Sequence, residues 1–351
     1  MDKSGADAYV YAKSASLLKK AWISERAISL FNVESLSSLW NLIFLTPEPS
    51  VPELMLANTI EIEAVKGFVK DYEKLLEMYD KPEPFLVELL RQYDVENLKA
   101  FLSAIDYGEE KHPRIVRLGD YSVISYDGWP DIKKITEHSR FAWVAQSVNS
   151  EEREERQKID YKLDLQMFKT LWQSLCSIKG ESREVLKEYF SYEWSVKNLI
   201  WALRLKVYYN FSDDKIIENL YYVGDAPSAA DPLCRFAWEI FGKKIDSYEE
   251  WADWRFSEYL NPREEGGVWK LSPMWVEQRF RSREAAKAKR LFHQYPMTDV
   301  SLAMFFCLKR QELNCIRAAT ESLRLGTDKK EAMYVAGISD LFEDGENVKN
   351  Y

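Results

Sequence analysis

The chain carries one helix-and-loop pattern three times, and this repetition constrains its fold more than any other feature. The copies read DVENL from Asp94, SVKNL from Ser195 and ELNCI from Glu312, so the second begins 101 residues after the first and the third 117 residues after the second. A period of this size indicates domain-sized units, because solenoid repeats span only about 20–50 residues. We therefore predict a body of three similar helical units.

Each copy has the apolar spacing of an α-helix and the same kind of ending. Val95, Leu98 and Leu102 recur at i, i+3 and i+7, which places their side chains on one helix face. The matching apolar residues in the other copies are Val196, Leu199, Leu203, Leu313, Ile316 and Leu323. The residues beyond the last apolar turns are Gly108, Asn210 and Gly326. Glycine and asparagine tolerate left-handed backbone, so each of these positions is a predicted helix end.

The composition indicates an all-α protein that does not bind nucleic acid. Hydrophobic residues make up 46% of the 351 residues, which is enough for sizeable cores. The 13 glycines and 12 prolines are too few for the many turns of a β-protein. The formal net charge of −9 argues against a nucleic-acid partner, since phosphate binding requires a basic face.

The sequence shows neither a membrane span nor a secretion signal. Long apolar stretches such as Leu302–Leu308 fall well short of the ~18 residues of a span. The chain opens with the polar residues Asp2, Lys3 and Ser4, so we expect it not to be secreted. The four cysteines form no CxxC pair, and we expect all of them to be reduced residues of the core.

Helices are expected along most of the chain, and no strand is strongly indicated. Besides the first and third repeat helices, they are predicted from about Ala8 and at Leu54–Tyr79, Ile135–Ser147, Ile159–Cys176, Arg183–Tyr209, Leu233–Phe241, Ser247–Tyr259 and Val276–Tyr295. The acidic tail after Gly337 is predicted to fray.

Asp213 and Asp214 are the strongest sign of an enzyme. Two carboxylates on one helical turn could hold Mg²⁺ against a leaving diphosphate, as in an all-α magnesium-dependent enzyme of the terpenoid type. Both residues, however, follow the second repeat helix, where acidic residues favour the start of the next helix. The histidines, His112, His138 and His293, lack metal-ligand spacing. We predict no catalytic residue, no cofactor-binding residue and no metal site.

Several segments give the chain a family resemblance through their order and spacing. They are Tyr11–Lys13, Leu89–Lys99, Leu163–Asp164 with Phe168, Tyr189–Leu199 and Leu308–Arg317. With them the chain resembles the family of C subunits of V-type ATP synthases and ATPases, which are called d subunits in eukaryotic complexes. The resemblance spans most of the chain. It departs at Cys315, where the other copies have asparagine, and at Trp251–Leu271, which has no counterpart.

The resemblance implies a cup- or funnel-shaped all-α body of three similar helical domains around a pseudo-threefold axis. We assign the domains to residues 1–115, 116–222 and 223–351. It also implies a non-catalytic central-rotor subunit that links the central stalk to the membrane rotor ring and transmits torque for ion transport. Its partners would be the stalk subunits and the ring. It would lie peripherally on the cytoplasmic side, membrane-associated only through the ring, with no cofactor.

Polar side chains near the starts of the repeat helices are the candidates for contact with other subunits, through the central cavity or the seams between domains. They are Asp94, Glu96, Lys197, Asn198, Glu312 and Arg317. Two alternatives stay open: the magnesium-dependent enzyme that uses Asp213 and Asp214, and another kind of helical scaffold. A solenoid scaffold would show a period of ~34–47 residues, which the sequence lacks.

Overall fold

The computed structural model describes residues 2–147, 153–263 and 267–338, and all regular structure in these ranges is helical, which confirms the predicted all-α class. The α-helices are α1 (Lys3–Lys20), α2 (Ile28–Phe31), α3 (Leu36–Ile43), α4 (Glu53–Leu76), α5 (Pro84–Asp106), α6 (Ile132–Thr136), α7 (Val144–Ser147), α8 (Arg153–Ser177), α9 (Glu181–Tyr208), α10 (Asp213–Glu218), α11 (Pro273–Gln294), α12 (Asp299–Leu325) and α13 (Lys329–Val335). Short 3-10 helices lie at Ser24–Ala27, Gly119–Tyr121, Tyr126–Gly128, Ala237–Ile240, Tyr248–Trp251 and Ser257–Tyr259.

The repeat helices α5, α9 and α12 end as the sequence predicts. Gly108, Asn210 and Gly326 all have left-handed backbone, with φ of 65°, 52° and 66°. This conformation turns the chain away from the helix axis, and the Gly326 N–H still donates back to the Ser322 carbonyl. The three copies therefore share their endings as well as their apolar faces.

The six longest helices form a closed ring of contacts. Three hairpins of consecutive helices, α4–α5, α8–α9 and α11–α12, make up the ring. Between hairpins, α5 packs against α8, α9 against α11, and α12 against α4, and we call these contacts the seams. Hairpin and seam therefore alternate three times before the ring closes. The pseudo-threefold axis and the cup shape remain predictions.

A shared core holds the ring together, and three smaller cores flank it. The N-terminal halves of α5, α9 and α12 enter the shared core, where Phe85, Phe190 and Phe306 are buried. Burial of one such side chain stabilises the fold by roughly 1.5–3 kcal/mol. The C-terminal halves enter separate cores: α5 with α6–α8, α9 with α11 and residues 216–271, and α12 with α3, α4 and α13. Each repeated segment lies where its helix leaves the shared core.

The largest departure from the predicted helices lies between α10 and α11. Leu233–Phe241 and Ser247–Tyr259 are not α-helices but turns interspersed with 3-10 helices, so these two predictions are wrong. Their aromatic side chains pack into the core of α9 and α11, and Trp251 Nε1 donates to the Lys244 carbonyl at 2.7 Å. Tertiary packing and side-chain hydrogen bonds here override helical periodicity. The described part of Trp251–Leu271 belongs to the same core.

The other helix predictions fare better. Leu54–Tyr79, Ile159–Cys176, Arg183–Tyr209 and Val276–Tyr295 correspond to α4, α8, α9 and α11. The predicted helix Ile135–Ser147 is wrong as one element, because it is divided between α6 and α7. In the interruption, Ser139 Oγ accepts the Phe141 N–H at 3.1 Å and so offers the backbone an alternative to the helix.

Two further expectations concern the cysteines and the tail. Cys234, Cys307 and Cys315 are buried, but Cys176 is exposed near the end of α8, so its assignment to the core is wrong. The predicted fraying after Gly337 falls on residues that, apart from Ile338, lie outside the described ranges. Within those ranges, no helix has both the length and the apolarity to cross a bilayer.

Candidate functional site

The repeated asparagines hold the chain segment that returns after each helix end. Asn97 Nδ2 donates to the Val116 carbonyl at 2.6 Å, and its Oδ1 accepts the Val116 N–H at 2.9 Å. Asn198 makes the same two bonds with Tyr221, at 2.8 and 2.9 Å, and also donates to the Leu233 carbonyl. Both side chains are buried and satisfy backbone groups that need a partner. Asn198, a predicted contact residue, thus has an internal structural role.

In the third copy Gln311 makes one of the two hydrogen bonds that the asparagines make in the other copies. Gln311 Nε2 donates to the Ala336 carbonyl at 2.9 Å and lies 3.8 Å from Cys315 Sγ. Residues four apart on a helix share a face, so the longer amide reaches the returning chain from one turn earlier. The third copy therefore retains an amide contact with the returning chain, but Gln311 supplies it instead of residue 315.

Two more of the predicted contact residues, Asp94 and Glu312, occupy equivalent positions and face the protein interior. The buried Asp94 carboxylate accepts three hydrogen bonds from residues 122–126, at 2.7–2.9 Å. Burial raises the pKa of Asp94, and these hydrogen bonds oppose the rise. Glu312 accepts the Trp22 N–H at 2.7 Å and pairs with Lys309. Each carboxylate thus binds a separate chain segment to its repeat helix, residues 122–126 in one case and Trp22 in the other.

Glu96, Lys197 and Arg317 are the predicted contact residues that lie on the surface. Their side chains are 64%, 41% and 62% exposed. Glu96 lies 3.6 Å from Lys99 in the same helix. These three side chains are placed where another protein could reach them, and their contact with a partner remains a prediction.

Two seams carry an ion pair at the same repeat position. Lys99 Nζ lies 2.5 Å from Asp164 Oδ1 of α8, and Arg317 Nε lies 3.0 Å from Glu61 Oε2 of α4. Ile200 occupies this position in α9, so the seam between α9 and α11 has an apolar residue there. Partly exposed pairs contribute at most about 1 kcal/mol each.

The seam between α9 and α11 contains a groove of about 320 Å³ that α12 also lines. Its charged lining residues are Lys197, Arg204, Arg281, Arg310, Glu277 and Glu284. Beside it lies Glu193, only 1% exposed, which accepts from Arg310 Nη2 at 2.6 Å and pairs with Lys197 Nζ at 2.9 Å. Glu277 similarly bridges Arg204 and Arg281. Each of these two carboxylates is thus shared by two cations.

Glu193 and Glu284 have opposite electrostatic environments. Burial would raise the pKa of Glu193, but the charges of Arg310 and Lys197 outweigh burial and hold that pKa well below its usual range. Burial, followed by the negative charge of Glu193, raises the pKa of Glu284 to about 8. Glu284 Oε1 is buried and meets no hydrogen-bond partner among the described residues. Glu284 is therefore mostly protonated at neutral pH and can donate a hydrogen bond.

Sequence reasoning did not identify Glu193 and Arg310 as site residues. They occupy one repeat position, two residues before Ser195 and Glu312. The available signal is that opposite charges stand at that position in two of the three copies. Reading it would have required knowing that α9 and α12 lie side by side.

Asp213 and Asp214 lie in the first turn of α10, the helix that follows the second repeat helix. Asp213 Oδ1 accepts from Lys206 Nζ at 2.6 Å, and Oδ2 accepts the Gly242 N–H at 2.7 Å. Both oxygens of Asp213 thus bind groups of the chain itself. Over the described ranges, no three or more His, Cys, Asp or Glu side chains are grouped to hold a metal ion.

Two comparisons with known proteins bear on this arrangement. A family model described as ATP synthase (C/AC39) subunit matches residues 52–333, which include the whole ring of six helices and all three repeat copies. An uncharacterized protein of Treponema pallidum (strain Nichols) is 26% identical over 330 residues, which cover 93% of this chain and 95% of that protein.

Proposed function

The chain belongs to the ATP synthase (C/AC39) subunit family, and we propose that it is the non-catalytic subunit that links the central stalk of a V-type ATPase or ATP synthase to the membrane rotor ring. Family membership confirms the resemblance predicted from the sequence and makes the chain a subunit of a rotary ATPase. In the proposed role it lies peripherally on the cytoplasmic side of the membrane and transmits torque between ATP turnover and ion transport.

The closed ring of helices is the observation that carries this proposal. A part that transmits torque must rotate as one body, and a packed interior deforms little under load. Each of the three hairpins is held by its neighbours on both sides, and the three repeat helices share one core. An open row of hairpins would lack the closing contact between α12 and α4 and could uncoil at its ends.

The proposed contacts with other subunits lie on the exposed part of each repeat helix. Glu96, Lys197 and Arg317 remain the candidates, because Asp94, Asn198 and Glu312 are engaged inside the protein. The proposal keeps three units at residues 1–115, 116–222 and 223–351 about a pseudo-threefold axis. The net charge of −9 favours basic partner surfaces, and such complementarity speeds docking more than it adds affinity.

Purification of the native complex tests the proposal. A tag on this chain should recover both stalk and ring subunits from solubilised membranes, and an image of the complex should show the chain between them. As a control, Asp213→Ala with Asp214→Ala should leave this recovery unchanged, since Asp213 bonds to Lys206 and Gly242 of the chain itself. Recovery of peripheral-stalk or catalytic subunits without ring and central stalk would refute the proposed position.

A further inference from the structure

We propose that the groove between α9, α11 and α12 binds an acidic segment of another protein, with Asp or Glu side chains entering between the second and third hairpins. The groove itself supplies the binding chemistry. That the partner is another subunit of the rotary complex rests on the proposed function. Nothing in the family match assigns this groove a role.

The local charge favours an anion although the chain as a whole is acidic. Four cations line the groove: Lys197, Arg204, Arg281 and Arg310. Two carboxylates, Glu193 and Glu277, balance half of that charge, because each pairs with two of the cations. With Glu284 protonated, two positive charges remain in surplus. Against the overall charge of −9, this surplus marks the groove as a local site for an acid.

The hydrogen-bond donors suit a carboxylate. A guanidinium carries five N–H groups in a planar fork that matches the two oxygens of a carboxylate. The Arg204 and Arg310 side chains are 42% and 28% exposed, and both keep an open side toward solvent. Protonated Glu284 adds a donor whose Oε1 lacks a partner in the described structure. A phosphate is less suited, because Glu193 and Glu277 would oppose its second charge.

The size of the groove favours side chains over a large ligand. Its volume of about 320 Å³ is at the lower end of the roughly 300–1,000 Å³ of ligand pockets. Apolar walls from Ile200, Trp201 and Phe280 can cover the methylene groups of an entering glutamate. One or two acidic side chains from a neighbouring segment therefore fit its dimensions and its chemistry.

Binding there would add a bridging carboxylate to the seam between α9 and α11, which the Arg204–Glu277 ion pair already joins. Lys99 and Arg317 each reach an acidic residue across their seams, whereas Ile200 takes that position between α9 and α11. A carboxylate from a partner would lie between the cations of α9 and of α11 and connect the two helices. The partner would thereby tighten the seam as it docks.

Peptide binding to the full-length chain tests the groove directly. The probe is a fluorescent peptide of alternating glutamate and alanine, followed by anisotropy at low salt, with a glutamine-for-glutamate peptide and inorganic phosphate as comparisons. The glutamate peptide should bind saturably, and the glutamine peptide should not. Lys197→Gln combined with Arg204→Gln should weaken binding about tenfold, which corresponds to ~1.4 kcal/mol.

The double variant should still fold, and the chain offers a matched control for it. Glu193 keeps Arg310, and Glu277 keeps Arg281, so neither carboxylate loses its last cation. Arg255→Gln combined with Arg263→Gln also removes two positive charges, from exposed arginines that pair with Glu239 and Glu249 outside the groove, and it should not change binding. Absent binding, equal binding of both peptides, an equal loss in this control variant, or tighter binding of phosphate at the same site would each overturn the proposal.

The peptide assay and the purification of the complex test the two proposals separately. A chain that copurifies with stalk and ring but does not bind the glutamate peptide refutes the groove assignment and leaves the proposed function standing. A chain that binds the peptide through Lys197 and Arg204 but never copurifies with those subunits keeps the groove and refutes the proposed function.

Discussion

Arg310 of α12 and Glu193 of α9 occupy the same position in two copies of the repeat and form an ion pair with a buried carboxylate, with Nη2 2.6 Å from Oε1. Equivalent side chains of helices related by rotation can meet only when both helices lie close to the common axis. Gln92 holds this position in α5. The pair lies beside the shared core where the three repeat helices converge, and the pseudo-threefold relation stays a prediction.

Breaking this pair should destabilise the protein strongly. Arg310→Met leaves the Glu193 carboxylate buried with only Lys197 for compensation, so we expect a loss of about 3 kcal/mol in the free energy of unfolding. Adding Glu193→Gln removes the uncompensated charge, and the double variant should lose less than the sum of the two single losses. Urea unfolding measures all four proteins.

The exposed pair Arg255–Glu239 serves as the control for this cycle. Its atoms are 3.0 Å apart, but the arginine side chain is 48% exposed. The corresponding changes Arg255→Met and Glu239→Gln should show a coupling of at most about 1 kcal/mol. Equal coupling in the two cycles would mean that burial does not strengthen the Glu193–Arg310 pair.

The asparagine contacts should stabilise both of the first two copies. Asn97→Ala and Asn198→Ala each leave a partly buried backbone N–H and carbonyl without the asparagine, so we expect each to cost about 1–3 kcal/mol. Asn58→Ala, on the exposed face of α4, is the matched control and should cost almost nothing. Chemical unfolding monitors all three, and a loss below ~1 kcal/mol at Asn97 or Asn198 contradicts the assigned role.

Glu284 should make stability depend on pH. Its folded-state pKa is raised from 4.5 to about 8, first by burial and then by Glu193, so the folded state binds this proton more tightly than the unfolded state. That stabilising contribution is complete below about pH 4.5 and is lost as the pH rises through about 8. Glu284→Gln cannot ionise and avoids the loss.

The test compares the free energies of unfolding of wild type and Glu284→Gln at about pH 5 and about pH 9. The free energy of unfolding of the variant should rise relative to that of the wild type as the pH increases. Only the wild-type chain must then hold an unpaired carboxylate in the groove. A difference that stays constant across this range would show that Glu284 ionises as readily in the folded chain as in the unfolded one.

Charge reversal at the exposed contact candidates should impair coupling without unfolding the chain. Glu96→Lys changes a side chain that is 64% exposed, so the melting temperature should hardly move. Arg317→Glu changes one that is 62% exposed but also loses the pair with Glu61, so it should lower the melting temperature slightly. Asp94→Lys, at a buried position two residues before Glu96, should instead unfold the region around residues 122–126. Ion pumping and thermal melting are the two measurements, and full pumping by the exposed variants contradicts their placement at a contact.

The repeat helices and their ends could be predicted because their signals are local. The apolar spacing of Val95, Leu98 and Leu102 needs only the geometry of one helix, and Gly108 and Gly326 mark left-handed ends without reference to the rest of the chain. Local rules of this kind also gave the all-α class, and the order of the motifs gave the family.

What the sequence did not predict depends on contacts between distant segments. The substitution of Gln311 for the asparagine contact becomes visible only when α13 lies against α12. The Glu193–Arg310 pair joins residues of two different hairpins. The aromatic residues of Ser247–Tyr259 have helix-like spacing, but they fold into turns because they pack on α9 and α11. In each case a residue distant in the sequence determines the local structure or contact.

The ratio of ions transported to ATP hydrolysed, measured in membrane vesicles with and without this chain, is the decisive test of its coupling role. Vesicles that lack the chain should hydrolyse ATP with almost no ion transport, and adding back the wild-type chain should restore the ratio. An unchanged ratio in its absence would contradict that role, because torque would then reach the ring without it.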